Sequence, residues 1–155
     1  NGKDVAMANR YILWDLAWNI FLENKWLGIG WGGYSELYDT YGIARLINER
    51  DGLNAHNVFL QLLCETGIIG TFVVLFVVLY SLFKSVKFLK MNKKSEYFTP
   101  MCFSVGIQLF FIMMFFSSNA LYDFFVFCPY SIAIGIAIAC FFDKKANMRV
   151  IMIGE

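Results

Sequence analysis

Three long apolar runs occupy the second half of the chain. They are residues 67–83, 98–116 and 124–142, and none of them contains Lys, Arg, Asp or Glu. A helix that crosses the hydrocarbon of a bilayer needs about 20 predominantly apolar residues, with a range of about 17–25. The pattern therefore predicts three transmembrane helices. Pro129 falls in the second turn of the third run, where we expect it to start or kink that helix.

A second pattern, an aromatic stripe, lies near the start of the chain. Aromatic residues recur there at steps of three and four: Tyr11, Trp14, Trp18 and Phe21. Ala17 falls on the same face. This period predicts an amphipathic helix from Tyr11 to about Asn24. Tryptophan and tyrosine favour the membrane interface, so this helix either lies on the membrane or packs against other protein, and the sequence leaves both alternatives open.

Composition agrees with an integral membrane protein of the all-α class. Hydrophobic residues make up 59% of the chain and aromatic residues 19%, whereas average proteins are about 45–50% apolar. The four cysteines form no CxxC pair, which argues against a zinc or redox site. The chain opens on Asn1 without the pattern of a signal peptide. The chain is thus either a fragment of a longer protein or the product of processing at its start, and we expect a fragment, because residues 1–66 have the pattern of a loop within a protein.

Charge divides the polar segments into two groups. The loop at residues 84–97 holds five lysines against one acidic residue, and the tail at residues 143–155 has three basic residues against two acidic ones. Residues 1–66 hold five basic and eight acidic side chains, and the turn at residues 117–123 carries only Asp123. Lysine and arginine accumulate on the cytoplasmic side. The loop and the tail are thus predicted to be cytoplasmic. Residues 1–66 are predicted to form an extracytoplasmic region, followed by a three-span region at residues 67–155.

The single histidine of the chain, His56, lies just before the first apolar run. Asn57 follows it and is a good N-cap residue, so we expect a continuous helix from Asn57 through the first span. His56 is therefore either a capping or interface residue of this helix or part of a chemical site.

Four further residues mark the start of that helix. Gln61 and Glu65 are one turn apart and share a face. Glu65 is at the edge of the apolar run, where an unpaired acid is costly, so it is expected to face protein or water. Gly67 and Gly70 are small enough to let another helix approach closely.

Upstream of His56, the sequence offers a glycine-rich stretch and several arginines. Residues 26–34 read "WLGIGWGGY", which lacks any phosphate-binding signature and is interpreted as a turn. Arg10 stands at the predicted start of the aromatic helix. Arg45 and Arg50 lie in a polar segment without a clear period, which is interpreted as an irregular connection.

Taken together, the segments "NRYILWDLAW", "WLGIGWGGY" and "HNVFLQLLCETGIIG" resemble the O-antigen polymerase and O-antigen ligase superfamily over about residues 9–75. Members of that superfamily often have a proline shortly before the Gly-Ile-Gly stretch, and this chain has none. The resemblance implies a multi-pass protein of the bacterial inner membrane, whose further spans precede this portion of the chain.

The resemblance also implies an activity: glycosyl transfer without metal or cofactor. The donor would be a polyprenyl-diphosphate-linked oligosaccharide, and the acceptor a sugar hydroxyl on another lipid-linked glycan or on the lipid A core, with no nucleic acid involved. It assigns catalytic roles to His56 and Arg10, the two residues that match the family motifs. Lesser candidates for substrate binding are Arg45, Arg50, Asn57 and Glu65. A bidentate guanidinium suits a diphosphate leaving group, and a histidine can bind phosphate or deprotonate the acceptor hydroxyl.

Two other classes of function compete with this interpretation. A transporter or flippase fragment for lipid-linked sugars would place arginine and histidine inside a membrane cavity, and the charge-free spans argue against it. A non-enzymatic membrane subunit would need no role for His56.

Overall fold

The computed structural model describes residues 2–40, 54–116 and 118–153, and the regular secondary structure of this part of the chain is all α-helix. The five helices are α1 (Gly2–Glu23), α2 (Gly33–Thr40), α3 (Val58–Met91), α4 (Phe98–Met114) and α5 (Phe124–Ile153). The predicted all-α class is therefore confirmed. Arg45 and Arg50 lie outside the described residues.

All three predicted spans fall on helices, but the helices differ in length. Helix α3 and the Phe124–Lys145 part of α5 are long and apolar enough to cross a membrane. Helix α4 has 17 residues, which corresponds to about 26 Å at 1.5 Å per residue. The apolar run that predicted it continues for two more residues, which form a turn. The predicted tail after residue 142 is helical as far as Ile153.

Helix α1 starts earlier than its aromatic stripe predicted. It begins at Gly2 rather than near Tyr11, so Arg10 lies two turns inside the helix and not at its start. The stripe itself divides: Ala17 and Phe21 are buried, whereas Tyr11 and Trp18 are exposed. Helix α1 therefore packs Ala17 and Phe21 into the core of the protein and presents the rings of Tyr11 and Trp18 at the surface.

The described residues form two compact units. The first comprises Asn1–Phe76 with Met114–Asn119, and the second comprises Val77–Met113 with Ala120–Glu155. In the first unit, α1, the glycine-rich stretch and the start of α3 share one apolar core. Its buried members are Ala17, Ile20, Phe21, Tyr34, Ala55 and Cys64. This core holds residues 54–57, called the histidine segment below, against α1.

Helix α3 is broken at Gly67, and the prediction of a continuous helix is wrong at this point. Gly67 has φ 64° and ψ −170°, which no helix contains. In an unbroken helix the N–H groups of Ile68 and Ile69 would donate to the carbonyls of Cys64 and Glu65. The break leaves all four backbone groups without their helical partners, and a buried orphan group costs about 1–3 kcal/mol.

The glycine-rich stretch supplies the missing partners. Ile29 N–H donates to the Cys64 carbonyl at 3.0 Å, and Gly30 N–H to the Glu65 carbonyl at 2.8 Å. In return, the N–H groups of residues 68 and 69 donate to the carbonyls of residues 25 and 26, at 2.8 and 3.4 Å. The stretch thus completes the helix from outside. Gly67 does allow a close approach, as predicted, but the neighbour is a loop rather than a helix.

The second unit contains a buried polar network that the apolar runs did not reveal. Gln108 is fully buried; its Nε2 donates to the hydroxyls of Ser85 and Ser104, both at 3.0 Å, and its Oε1 accepts from Ser81 at 3.1 Å. The Ser104 hydroxyl donates to the carbonyl of Ala133 at 2.6 Å. The network joins α3 to α4 by hydrogen bonds between side chains, and α4 to α5 by the bond from Ser104 to the backbone of Ala133.

Candidate functional site

His56 has an unusual backbone conformation. Its φ is 47°, and it is the one non-glycine residue of positive φ in the described part of the chain. Histidine is among the residues that tolerate this left-handed region, although such a conformation costs about 1–3 kcal/mol and persists only where its surroundings enforce it. The side chain is half-buried. His56 is therefore held in place by its neighbours.

Ala55, the residue before His56, makes hydrogen bonds with both its N–H and its carbonyl group. Ala55 is fully buried. Its carbonyl accepts a hydrogen bond from the indole Nε1 of Trp14 at 2.8 Å, and its N–H donates to Oε1 of Gln61 at 3.1 Å. The N–H of His56 itself donates to Oδ1 of Asn54 at 3.0 Å. These bonds fix the chain on the N-terminal side of the histidine.

The residue after His56 caps helix α3, as predicted. Oδ1 of Asn57 accepts from the N–H groups of Phe59 and Leu60, at 3.0 and 3.3 Å, which is the usual geometry of an N-cap. The N–H of Val58 donates to the carbonyl of Phe115 at 3.3 Å, and that of residue 61 to the Asn57 carbonyl at 3.1 Å. All four N–H groups that start the helix are satisfied within the protein.

Arg10 is exposed and lies on the same face of α1 as Trp14. The two residues are four apart, so they are separated by about 6 Å along the helix axis. Because the Trp14 indole binds the backbone next to His56, this face of α1 presents the guanidinium one turn from the contact with the histidine segment. Trp14 is therefore four residues from one predicted catalytic residue, Arg10, and is hydrogen-bonded to the residue that precedes the other, His56.

Glu65 is fully buried and organises the glycine-rich stretch. Its Oε2 accepts from the N–H of Gly32 at 3.0 Å, and its Oε1 accepts from the N–H of Tyr34 at 3.3 Å and from Nε2 of Gln61 at 3.1 Å. The carboxylate therefore lies at the start of α2, where a negative charge is favourable. The geometry gives Glu65 a structural role in the loop.

The glycine-rich stretch uses its own N–H groups internally. The N–H of Gly28 donates to the carbonyl of Asn24, and that of Gly33 to the carbonyl of Gly30. The carboxylate of Glu65 accepts from the N–H groups of Gly32 and Tyr34. Backbone N–H groups in such turns form anion sites when they are free. Here the carboxylate of Glu65 occupies that position, which agrees with the interpretation of the stretch as a turn.

Two residues that complete the site were not predicted from the sequence as members of it. Gln61 was noted only for its spacing from Glu65, and that spacing was the available signal. Asn119, which donates its side-chain amide to Gln61, comes from a distant turn that carries no such signal. Within the described residues, no group of three or more His, Cys, Asp or Glu side chains forms a metal site.

The family model for O-antigen ligase matches residues 1–75. This segment belongs to the O-antigen ligase family. The match covers α1, the glycine-rich stretch, α2, the histidine segment and α3 as far as two turns beyond its break. No curated protein and no solved structure gives a match to the chain.

The match over residues 1–75 supports a coarse function. O-antigen ligases and the related polymerases are glycosyltransferase-like membrane enzymes, and the long apolar helices agree with a membrane location. Every member of the His56 site described above, apart from Asn119 and Phe115, lies within the matched residues.

Proposed function

We propose that this chain forms part of a membrane enzyme that transfers a glycan from a polyprenyl diphosphate to a sugar hydroxyl, in the synthesis of a cell-surface polysaccharide. In this reaction the anomeric carbon loses its bond to the diphosphate oxygen and gains one to the acceptor oxygen, and the acceptor hydroxyl releases a proton. The protein needs cations for the diphosphate and a base for the proton.

The observation that carries the proposal is the enforced conformation of His56. A positive φ outside glycine, held by hydrogen bonds on both sides, is a form of strain found at functional sites. The two backbone devices that bind anions elsewhere, a helix N-terminus and a glycine-rich turn, are both filled by groups of the protein itself. Within the described residues this leaves side chains to bind the diphosphate, and the proposal assigns His56 to accept the hydroxyl proton or to contact the phosphate.

Arg10 is the proposed partner of His56. Its exposed guanidinium offers paired donors that match phosphate oxygens, and it gains most where the developing charge is shielded from water. Arg45 and Arg50 remain proposed as further cations. Asn57 and Glu65 are proposed to affect substrate binding indirectly. Asn57 holds the start of α3, and Glu65 holds the backbone of the glycine-rich stretch.

Replacing the imidazole tests this assignment. We expect His56→Asn to lower glycosyl transfer by at least about 100-fold, the usual scale for a lost acid–base group, because asparagine tolerates the same φ but has no imidazole. Arg10→Ala is expected to lower transfer by about 100-fold, as for a lost charge-stabilising donor. The measurement uses the full-length protein in membranes, a labelled lipid-linked glycan and gel separation of the products.

Lys25→Ala serves as the matched control, because Lys25 is also an exposed cation of the first unit. We expect it to change transfer by less than about threefold, with all variants at equal expression. Near-normal transfer by both His56→Asn and Arg10→Ala would refute the catalytic roles.

The proposal also requires the predicted topology, with three spans and residues 1–66 outside the cytoplasm. In a background whose four cysteines are replaced, Glu36→Cys and Lys93→Cys each put one thiol at an exposed position. We expect a membrane-impermeant maleimide to label position 36 in intact spheroplasts and position 93 only after lysis. The opposite order would place His56 on the wrong side of the membrane for a lipid-linked donor.

A further inference from the structure

A buried amide, the side chain of Gln61, joins three parts of the first unit. Its Oε1 accepts hydrogen bonds from the backbone N–H of Ala55, at 3.1 Å, and from the side-chain amide of Asn119. Its Nε2 donates to Oε1 of Glu65 at 3.1 Å. Only 3% of Gln61 is exposed, so these bonds are shielded from water.

The orientation of this amide follows from its partners. Glu65 Oε1 already accepts from the N–H of Tyr34, and a carboxylate offers only acceptors. The donor end of Gln61 must therefore face Glu65, and the acceptor end must face the N–H of Ala55 and the amide of Asn119. If the amide were rotated by 180°, its oxygen would face the carboxylate oxygen of Glu65, and its NH₂ group would face the N–H of Ala55 and the amide of Asn119.

We propose that Gln61 is a positioning residue that sets the conformation of His56, an inference that rests on the proposed function for its catalytic consequence. Ala55 directly precedes His56. Gln61 accepts the hydrogen bond that orients the N–H of Ala55. Without that bond the backbone around residue 56 is free to relax from its strained, positive φ. The imidazole would then change its position, even though Trp14 still binds the carbonyl of Ala55 and Asn57 still caps α3.

The same amide links His56 to two other segments. Through Glu65 it contacts the glycine-rich stretch, and through Asn119 it contacts the turn that follows α4. Oδ1 of Asn119 is buried and has no hydrogen-bond partner in the described part of the chain. The side chain of Asn119 is therefore held by its bond to Gln61, and its removal is a mild perturbation of the same network.

The test observes His56 directly. Histidine-selective ¹⁵N labelling of the full-length protein, with a histidine-free purification tag, gives imidazole signals, and those that are missing from the spectrum of His56→Asn are assigned to His56, the one histidine of these 155 residues. Gln61→Met keeps the shape of the side chain and removes its three hydrogen bonds. We expect the ring signals of His56 to shift in this variant. We also expect transfer to fall by about 10–100-fold, the range expected for a displaced catalytic group.

Gln108→Met is the matched control. Gln108 is also a buried glutamine with three side-chain hydrogen bonds, and its partners are Ser81, Ser85 and Ser104 of the second unit. We expect a comparable loss of thermal stability, unchanged His56 signals and transfer within about threefold of the parent protein. A Gln61→Met protein whose His56 signals match those of the parent would overturn the inference.

If Gln61→Met does not fold, a second variant, Asn119→Ala, tests the same inference. Asn119→Ala leaves the bonds of Gln61 to Ala55 and Glu65 in place, so we expect a smaller shift of the His56 signals, and unchanged signals would again contradict the proposal. The two proposals fail separately. Full transfer by His56→Asn, together with shifted signals in Gln61→Met, would refute the catalytic role and leave the positioning role standing.

Discussion

Gly67→Ala is expected to abolish the folded form of the first unit. An added Cβ at this position would lie closer than 3.0 Å to the backbone of Trp26, and φ is 64°. The loop would have to move away, which breaks the four backbone hydrogen bonds that complete the broken helix. With about 1–3 kcal/mol for each group left unsatisfied, we expect a loss of about 5 kcal/mol or more, comparable with the whole stability of many proteins.

Gly28→Ala should behave in the same way, because the contact is reciprocal. A Cβ on Gly28 would meet the backbone of Glu65 as closely as one on Gly67 meets Trp26. Each glycine is thus required by the backbone of the opposite segment. We expect both variants to fail to give a monodisperse peak in size-exclusion chromatography in detergent, while the parent protein gives one.

Two other glycines show how much of this loss of stability comes from the close approach of the backbones and how much from the positive φ. Gly30 has φ 99° but open space where the methyl group of an alanine would lie, and Gly106 lies in α4 with nothing within 4 Å of the same position. Gly30→Ala should therefore lose only about 1–2 kcal/mol, from its left-handed backbone. Gly106→Ala should be neutral or slightly stabilising, since alanine favours a helix. If Gly67→Ala were as stable as Gly106→Ala, the close approach of the two backbones would be disproved.

Local features of the fold were accessible from the sequence. The apolar runs located α3, α4 and α5 because the length and hydrophobicity of a helix are continuous local properties. Asn57 marked the start of α3 because an N-cap acts on N–H groups two and three residues away. The start of α1 was placed too late, since residues 2–9 favour a helix without carrying the aromatic stripe.

The non-local features were not accessible. Gln61 and Glu65, the polar residues ahead of the break, are equally compatible with an unbroken helix, and Gly67 resembles any small residue in a membrane helix. The break depends on the carbonyls and N–H groups of residues 25–30, which are more than 30 residues away in the chain. The conformation of His56 likewise depends on Trp14 and Gln61, and no single-residue preference predicts such a constraint.

Glu65→Leu is the second substitution with a large expected effect. It removes the acceptor from the N–H groups of Gly32 and Tyr34 and from the side-chain amide of Gln61. Two buried donors and the part-buried N–H of Gly32 are left unsatisfied, at about 1–3 kcal/mol for each buried donor. We expect a total loss of about 5 kcal/mol, seen as a fall of at least about 10 °C in Tm, since 1 kcal/mol corresponds to about 2–4 °C at this chain length.

Glu65→Gln distinguishes lost hydrogen bonds from lost volume. One oxygen survives in this variant and can still accept from Gln61 and Tyr34, whereas the new amide group turns a donor towards the N–H of Gly32. The loss should therefore be about half of that in Glu65→Leu. Glu23→Gln, at an exposed position at the end of α1, should stay within about 0.5 kcal/mol of the parent protein. Equal Tm values for Glu65→Leu and Glu23→Gln would mean that the buried carboxylate does not hold the glycine-rich stretch, and Gln61 would then lack the anchor through which it orients the segment of His56.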